Sequence, residues 1–446
     1  MNCQRAVRAG PGPVPQTKRS AEKQKLCWRS GQTELSFFHF ACLSGLNPED
    51  SAQSTLRGSR GFRKWACNLI GMTWWRVCAV AGLLAYGAAG LAQETGAKSG
   101  PWVLERSGTT ASLRGIHAVG GGVAWASGTN GTVLRTEDGG YEWQSCSMPP
   151  GAEKLDFRGI WAWDDDTAIV MSSGPGDQSR LYKTTDGCSS WKLVLANPDK
   201  DGFFDAIVFD SGNRGFLLGD PVDGRFVLMV SFDQGKYWTR LHPPGLEAGA
   251  MKIGAFAASN TALALNAGIP LFGTSGPGGP WLYSGEETCT MGIAQDDPAA
   301  CLTQFLRFRR QKLPMAGDSA ASGIFSVAGS ANGAMVAVGG NYTKPNVSAG
   351  TAACIPVWEG LPPAWVAAKH PPHGYRSAVS WDADAKAWIA AGPNGSDISY
   401  DDGETWQPLD GSETGGNWNA LSLPWVVGPN GRIAKLDSGL LKKTDP

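Results

Sequence analysis

An eight-residue pattern, Ser/Thr-x-Asp-x-Gly-x-x-Trp, recurs along this chain and limits what it can fold into. Thr136–Trp143 and Ser231–Trp238 fit it in full. Ser399–Trp406 fits once Asp401, the first of two adjacent aspartates, is taken as the key residue. Thr184–Trp191 fits except that Gly187 sits one place early. The key aspartates, Asp138, Asp186, Asp233 and Asp401, are separated by 48, 47 and 168 residues, the last being three times 56. A unit of about 50 residues that recurs this regularly is a structural repeat.

Each unit contains four short apolar runs. The first opens a unit: Leu113-Arg114-Gly115-Ile116, Phe157-Arg158-Gly159-Ile160, Phe204-Asp205-Ala206-Ile207 and Tyr375-Arg376-Ser377-Ala378. A second run ends in glycine, as in Val123–Gly128, Ala168–Gly174, Gly215–Gly219, Met335–Gly339 and Ala387–Gly392. A third leads into the pattern, and a fourth follows its tryptophan, as in Trp191–Leu195. Four short strands with turn residues between them make one antiparallel sheet. With Gly 60 and Trp 19 against only 18% charged residues, the composition suits many tight turns and aromatic plugs.

The spacing predicts an all-β fold, a seven-bladed β-propeller of four-stranded antiparallel blades over residues 101–440. Two blades without a readable pattern fall between Asp233 and Asp401. One lies in 260–320, and the next opens at Ser322–Val327. The seventh, Asn417–Leu423, Pro424–Gly428 and Gly431–Leu436, shows three strands. Its fourth is expected from the N-terminal run Trp102–Arg106, which closes the ring and removes an open edge. A six- or eight-bladed ring is the competing architecture.

In the repeated turn, the aspartate accepts backbone hydrogen bonds and the glycine permits positive φ. The tryptophan fills the space between blades. Asp138, Trp143, Asp186, Trp191, Asp233, Trp238, Asp401 and Trp406 are therefore read as structural. The turns at the other end of the blades carry the candidate binding residues. Arg114, Arg158, Asp205 and Arg376 start first strands, while Asp220 and Tyr342 follow second strands. A propeller brings these distant positions to one channel mouth, where guanidinium groups suit a carboxylate or an acidic peptide. No catalytic residue is assigned. The chain has no GxSxG, HExxH or dinucleotide-binding fingerprint. His117, His242, His370 and His373 are scattered, so no metal site is expected, and no cofactor either.

The repeated turn resembles the Asp-box of sialidase-type propellers. Sialidases use three arginines and a tyrosine, and that resemblance would assign Arg114, Arg158 and Arg376, with Tyr342 or Tyr375. The Arg-Ile-Pro signature is absent, since Ile269-Pro270 and Ile355-Pro356 lack a preceding arginine. The blade set as a whole includes Leu113–Ile116, Phe157–Ile160, Gly202–Ala206, Ser322–Ser326, Gly339–Tyr342 and Val426–Ile433. It resembles exported bacterial propellers related to the photosystem II assembly and stability factor family. That resemblance implies a non-enzymatic scaffold that binds a protein client during assembly of a membrane or envelope complex. The alternative is a glycan-binding or sialidase-like hydrolase propeller. A monomer is expected in either case.

The remaining segments bear on location. Residues 1–71 hold 11 Lys/Arg against 4 Asp/Glu and no sustained period, so they read as a disordered extension. Residues 72–92 read as a signal peptide. Arg76 precedes an apolar run from Val77 to Leu91, and Gly90-Leu91-Ala92 ends it. Met72 is then the expected initiator, with an uncleaved anchor as the alternative and as the only membrane contact. Residues 93–100 read as a linker and 441–446 as a tail. The protein is expected to be exported, periplasmic or extracellular. Residues 93–446 carry 27 Lys/Arg and 36 Asp/Glu, and that acidic balance argues against nucleic acid. An oxidising location permits disulfides. Cys289–Cys301 and Cys146–Cys188 are the candidate pairs, with Cys354 left over.

Overall fold

A computed structural model describes residues 100–249, 253–287, 302, 304–356, 364–409 and 416–441. The expected extension, signal segment and the Cys289–Cys301 pair lie outside these residues. Among the described residues no helix is long and apolar enough to cross a membrane.

Seven four-stranded antiparallel sheets form the blades. Blade 1 runs Leu113–Gly120, Val123–Gly128, Val133–Thr136 and Gln144–Ser145. First strands of blades 2 to 6 are Phe157–Ala162, Phe204–Phe209, Leu263–Asn266, Ser322–Gly329 and Ala378–Asp382. Blade 7 has Ala420–Ser422, Trp425–Val427 and Ile433–Leu436, and its outer strand is Trp102–Glu105 from the N-terminus. Trp102 pairs with Leu436 and Glu105 with Ile433, so both ends of the ring share one sheet. Each first strand lies beside the first strands of its neighbours, and blade 7 meets blade 1.

The buried apolar residues divide into seven clusters, one at each interface between neighbouring blades. The second strand of blade 2 shows why its sequence reads as a continuous apolar run. Ala168 and Val170 face blade 1, whereas Ile169 and Met171 face blade 3. Side chains alternate across a strand, and a blade is covered on both faces, so neither set can be polar.

The four recurrent turns share one geometry. Thr136 Oγ1 accepts from Gly140 N at 3.0 Å and donates to Asp138 Oδ1 at 2.9 Å. Asp138 Oδ1 accepts from Glu142 N at 3.1 Å. Thr184, Ser231 and Ser399 repeat the hydroxyl's part. Two successive residues of each turn have positive φ, as at Gln234 and Gly235. In blade 2 Cys188 occupies the expected glycine's place with φ 63°, which the early Gly187 had obscured. The box tryptophans sit against the preceding blade. Trp143 meets Trp425 edge-on at 5.3 Å, and Trp191 meets Trp125 at 6.5 Å.

Cys146 and Cys188 form a disulfide with Cα atoms 5.3 Å apart, linking the end of blade 1 to the turn of blade 2. Cys354 is buried on the third strand of blade 5, and burial pushes its thiol up to about 12.

Candidate functional site

The channel mouth opposite the recurrent turns holds a cavity of about 540 Å³. Arg114, Arg158, Asp205, Asp220 and Tyr342 all line it. A shared backbone irregularity brings the first three together. The pairing register slips at Arg114, at Arg158 and at Asp205, and slips again at Phe325 in blade 5. A bulge leaves one residue unpaired and re-aims its side chain. Here each bulged residue points to the cavity. Glycine follows two of them because space there is short: a Cβ on Gly159 would lie 2.6 Å from Asn260 Oδ1. A Cβ on Gly115 would lie 2.6 Å from Ser127 Oγ and 3.2 Å from the Arg158 carbonyl oxygen.

Arg376 departs from this expectation. In blade 6 the place of the bulged residue is taken by Ser377, whose N–H donates to the Ala391 carbonyl opposite Ala378, and Ser377 and Tyr375 line the cavity instead. Alternation sends Arg376 the other way, into the blade, where it is fully buried. Its Nε donates to Asp397 Oδ2 at 2.6 Å and its Nη1 to the Tyr375 carbonyl at 2.7 Å. Asp397 Oδ1 lies 2.7 Å from His373 Nδ1, and that contact raises the imidazole pKa. Arg376 therefore braces the wall, and the three-arginine arrangement is not assembled at the mouth. Asp220 departs in a smaller way. It lies within the strand Gly215–Val222, and the expected turn falls at Asp223-Gly224.

The cavity is lopsided. On the side of blades 1 and 2, Asp156 joins both arginines. Arg114 Nε lies 3.3 Å from its Oδ1, and Arg158 Nε lies 2.8 Å from its Oδ2. Burial lowers the Arg114 pKa, and Asp156 opposes that shift. On the side of blades 5 and 6 the wall is aromatic. Phe325 stacks on Phe256 at 3.5 Å and meets Tyr375 edge-on at 4.7 Å. Tyr342, 52% exposed, stands at the rim.

Blade 3 contributes two carboxyl groups. Asp205 is 1% exposed, and its Oδ2 has no hydrogen-bond partner among the described residues. Burial first, and Asp220 second, push its pKa well above the carboxylate range, while Arg158 pulls the other way. Asp220 Oδ1 accepts from Ala255 N at 2.9 Å, yet burial still raises its pKa. No group of three or more potential metal ligands occurs among the described residues.

Residues 253–261 cross the channel beneath this cavity. Arg158 Nη1 donates to the Ala257 carbonyl at 3.2 Å, and Ser259 Oγ donates to the Ser377 carbonyl at 2.7 Å. Asn260 Oδ1 accepts from Ile207 N at 2.9 Å. Blades 2, 3 and 6 thus hold one segment. Sequence reasoning missed it because a Gly/Ala/Ser/Asn stretch carries no period. It also missed Asp156, which lies one residue before the strand Phe157–Ala162 that carries Arg158.

No family model matches the chain, and no curated protein matches it. Solved structures do. A structure described as Ycf48 bound to D1 peptide matches with a TM-score of 0.52 and 16% identity, over 76% of this chain and 97% of that one. Ycf48 from Cyanidioschyzon merolae matches at 0.46 and 16%, over 76% and 99%. An ancestral GH74 enzyme matches at 0.45 and 14%, over 74% and 42%. At 16% identity, the likeness to the first of these shows the fold alone.

Proposed function

We propose that the propeller is a non-enzymatic scaffold whose channel mouth binds an acidic peptide segment of a client protein. The client reading extends to assembly or stabilisation of a membrane or envelope complex in an exported location. One observation carries the peptide reading. Arg114 and Arg158 share the single carboxylate of Asp156 at an open cavity. Arg114 Nε lies in ion-pair range of it without a hydrogen bond, which leaves guanidinium donors of Arg114 unused among the described residues. A peptide carboxylate can take those donors in the fork geometry that guanidinium favours. The aromatic wall of Phe256, Phe325 and Tyr342 offers apolar contact to neighbouring residues of the same segment. The D1 peptide bound to Ycf48 supports a peptide as the kind of ligand. Export is supported by the signal-like residues 72–92 and by the Cys146–Cys188 disulfide.

Fluorescence polarisation of labelled ten-residue peptides against the full chain tests this. Acidic peptides should bind, neutral ones of the same length should bind at least about tenfold more weakly, and added salt should narrow the gap. Arg114→Ala with Arg158→Ala should abolish the preference. Equal binding of neutral and acidic peptides, or turnover of a fluorogenic glycoside at this mouth, overturns the reading.

A further inference from the structure

The blade-3 side of the same cavity has chemistry that an acidic ligand does not use. Asp205 lines the cavity while almost completely withdrawn from water, and its Oδ2 lacks a partner among the described residues. A buried carboxyl oxygen left without a donor is costly, so its surroundings call for one. Asp220 lines the same cavity, partly buried, and one backbone N–H is directed at it among the described residues. Arg158 does not supply the missing donor. Its Nε is given to Asp156 and its Nη1 to the Ala257 carbonyl. Around the two carboxyls the lining is apolar: Phe203, Phe256 and the alanines of the crossing segment. Ala255, Ala257 and Ala258 leave a smooth surface that suits a methylene stem, and aromatic faces attract a cation.

We propose that Asp205 and Asp220 form a socket for a primary alkylammonium group, the side chain of a lysine in the bound peptide. The socket rests on the peptide reading above and adds a second anchor to it. The ligand is then bipolar. Its carboxylate meets Arg114 and Arg158 on blades 1 and 2, and its lysine enters at blade 3. The ammonium supplies hydrogen-bond donors to oxygens that otherwise have too few. Its charge also offsets the repulsion between the two acids. A metal ion would need further ligands, and the neighbouring Phe and Ala side chains have none to give. Arg114 and Arg158 beside the socket disfavour a lone cation, so the ammonium is expected to bind well only when a carboxylate accompanies it.

The test uses the full chain and a peptide set that shares one acidic anchor. Lysine is placed in turn at each of several distances from the anchor, and each lysine is compared with norleucine and with acetyl-lysine. At the distance that spans the cavity, lysine should bind about tenfold more tightly than either neutral analogue. Asp205→Asn and Asp220→Asn should each erase the difference in affinity between the lysine peptide and its norleucine analogue. Two variants are used so that a folding defect in one does not decide the matter, and each is first checked by its melting curve. If acidic peptides bind but lysine helps at no distance, the socket is wrong and the peptide reading stands. If the lysine gain persists in both variants, the socket is wrong as well. If no acidic peptide binds, the peptide reading itself fails.

Discussion

Trp143 Nε1 donates a 2.8 Å hydrogen bond to Glu105 Oε2, joining the turn of blade 1 to the strand contributed by the N-terminus. The same indole packs edge-on against Trp425 of blade 7. Lys435 adds a hydrogen bond from Nζ to the Gly139 carbonyl at 2.8 Å. The first and last blades thus meet through side chains as well as through the shared sheet. Trp143→Ala should cost about 3–5 kcal/mol, by emptying a buried aromatic site. Deletion of residues 101–107 should have a larger effect, because it exposes the edge of Ile433–Leu436 and lets the ring open. Thermal and denaturant melts should become broader. A truncated chain that melts like the parent would contradict this account of closure.

The Cys146–Cys188 bond closes a loop of 42 residues between blades 1 and 2. Constraining a loop of that size stabilises by about 2–4 kcal/mol. Cys146→Ser should lower the melting temperature by that equivalent, and reductant should lower it in the parent but not in the variant. Trp191 is expected to report the loss in its fluorescence, since its Nε1 donates to the Ser147 carbonyl beside the bridge at 3.0 Å.

Acid should destabilise the ring through His117. Its Nδ1 accepts a hydrogen bond from Ala162 N at 3.3 Å, and its ring lies 4.1 Å from that of Trp161. Burial pushes the imidazole pKa from 6.5 down to about 4. The unfolded chain therefore takes up the proton first. The stability contributed by neutral His117 is complete above about 6.5 and is lost as the pH falls toward 4. The loss should reach about 2–3 kcal/mol. Denaturant titrations at pH 7.5 and pH 4.5 should show this difference in the parent, and His117→Gln should reduce it. An unchanged pH dependence in that variant would remove His117 from the account.

Arg376 separates a bracing role from a ligand-binding one. Removing one partner of a buried ion pair leaves the other uncompensated, so Arg376→Ala should cost about 3–5 kcal/mol. Asp397→Asn should give a comparable loss, and the double variant Arg376→Met with Asp397→Leu should recover much of it. At a temperature where it remains folded, Arg376→Ala should bind acidic peptides as the parent does. Loss of binding without loss of stability would return Arg376 to the mouth.

The architecture was legible because it is written in local chemistry. Asp138, Asp186, Asp233 and Asp401 mark equivalent turns, and counting between them gives seven blades. Glycine and tryptophan at fixed offsets state what each turn and interface needs. The candidate site was legible only in part. Arg114, Arg158 and Asp205 were found because they open their strands. Arg376, found by the same rule, points into the wall, because it sits one place before the residue of its blade that faces the cavity, which is Ser377. An offset of one residue is not marked by any residue type in the run.

The sequence by itself determined the repeat and the run that completes blade 7, since turn formation and two-sided burial act on residues close together in the chain, while the seven sheets of the fold decided between rings of six, seven and eight blades. Tertiary structure alone decided which side chains face one another across the mouth. That depends on backbone slips at single residues and on the crossing segment 253–261, whose hydrogen bonds reach blades far apart in sequence. The placing of Asp205 and Asp220 on one cavity, and of both arginines beside Asp156, arises from that long-range placement.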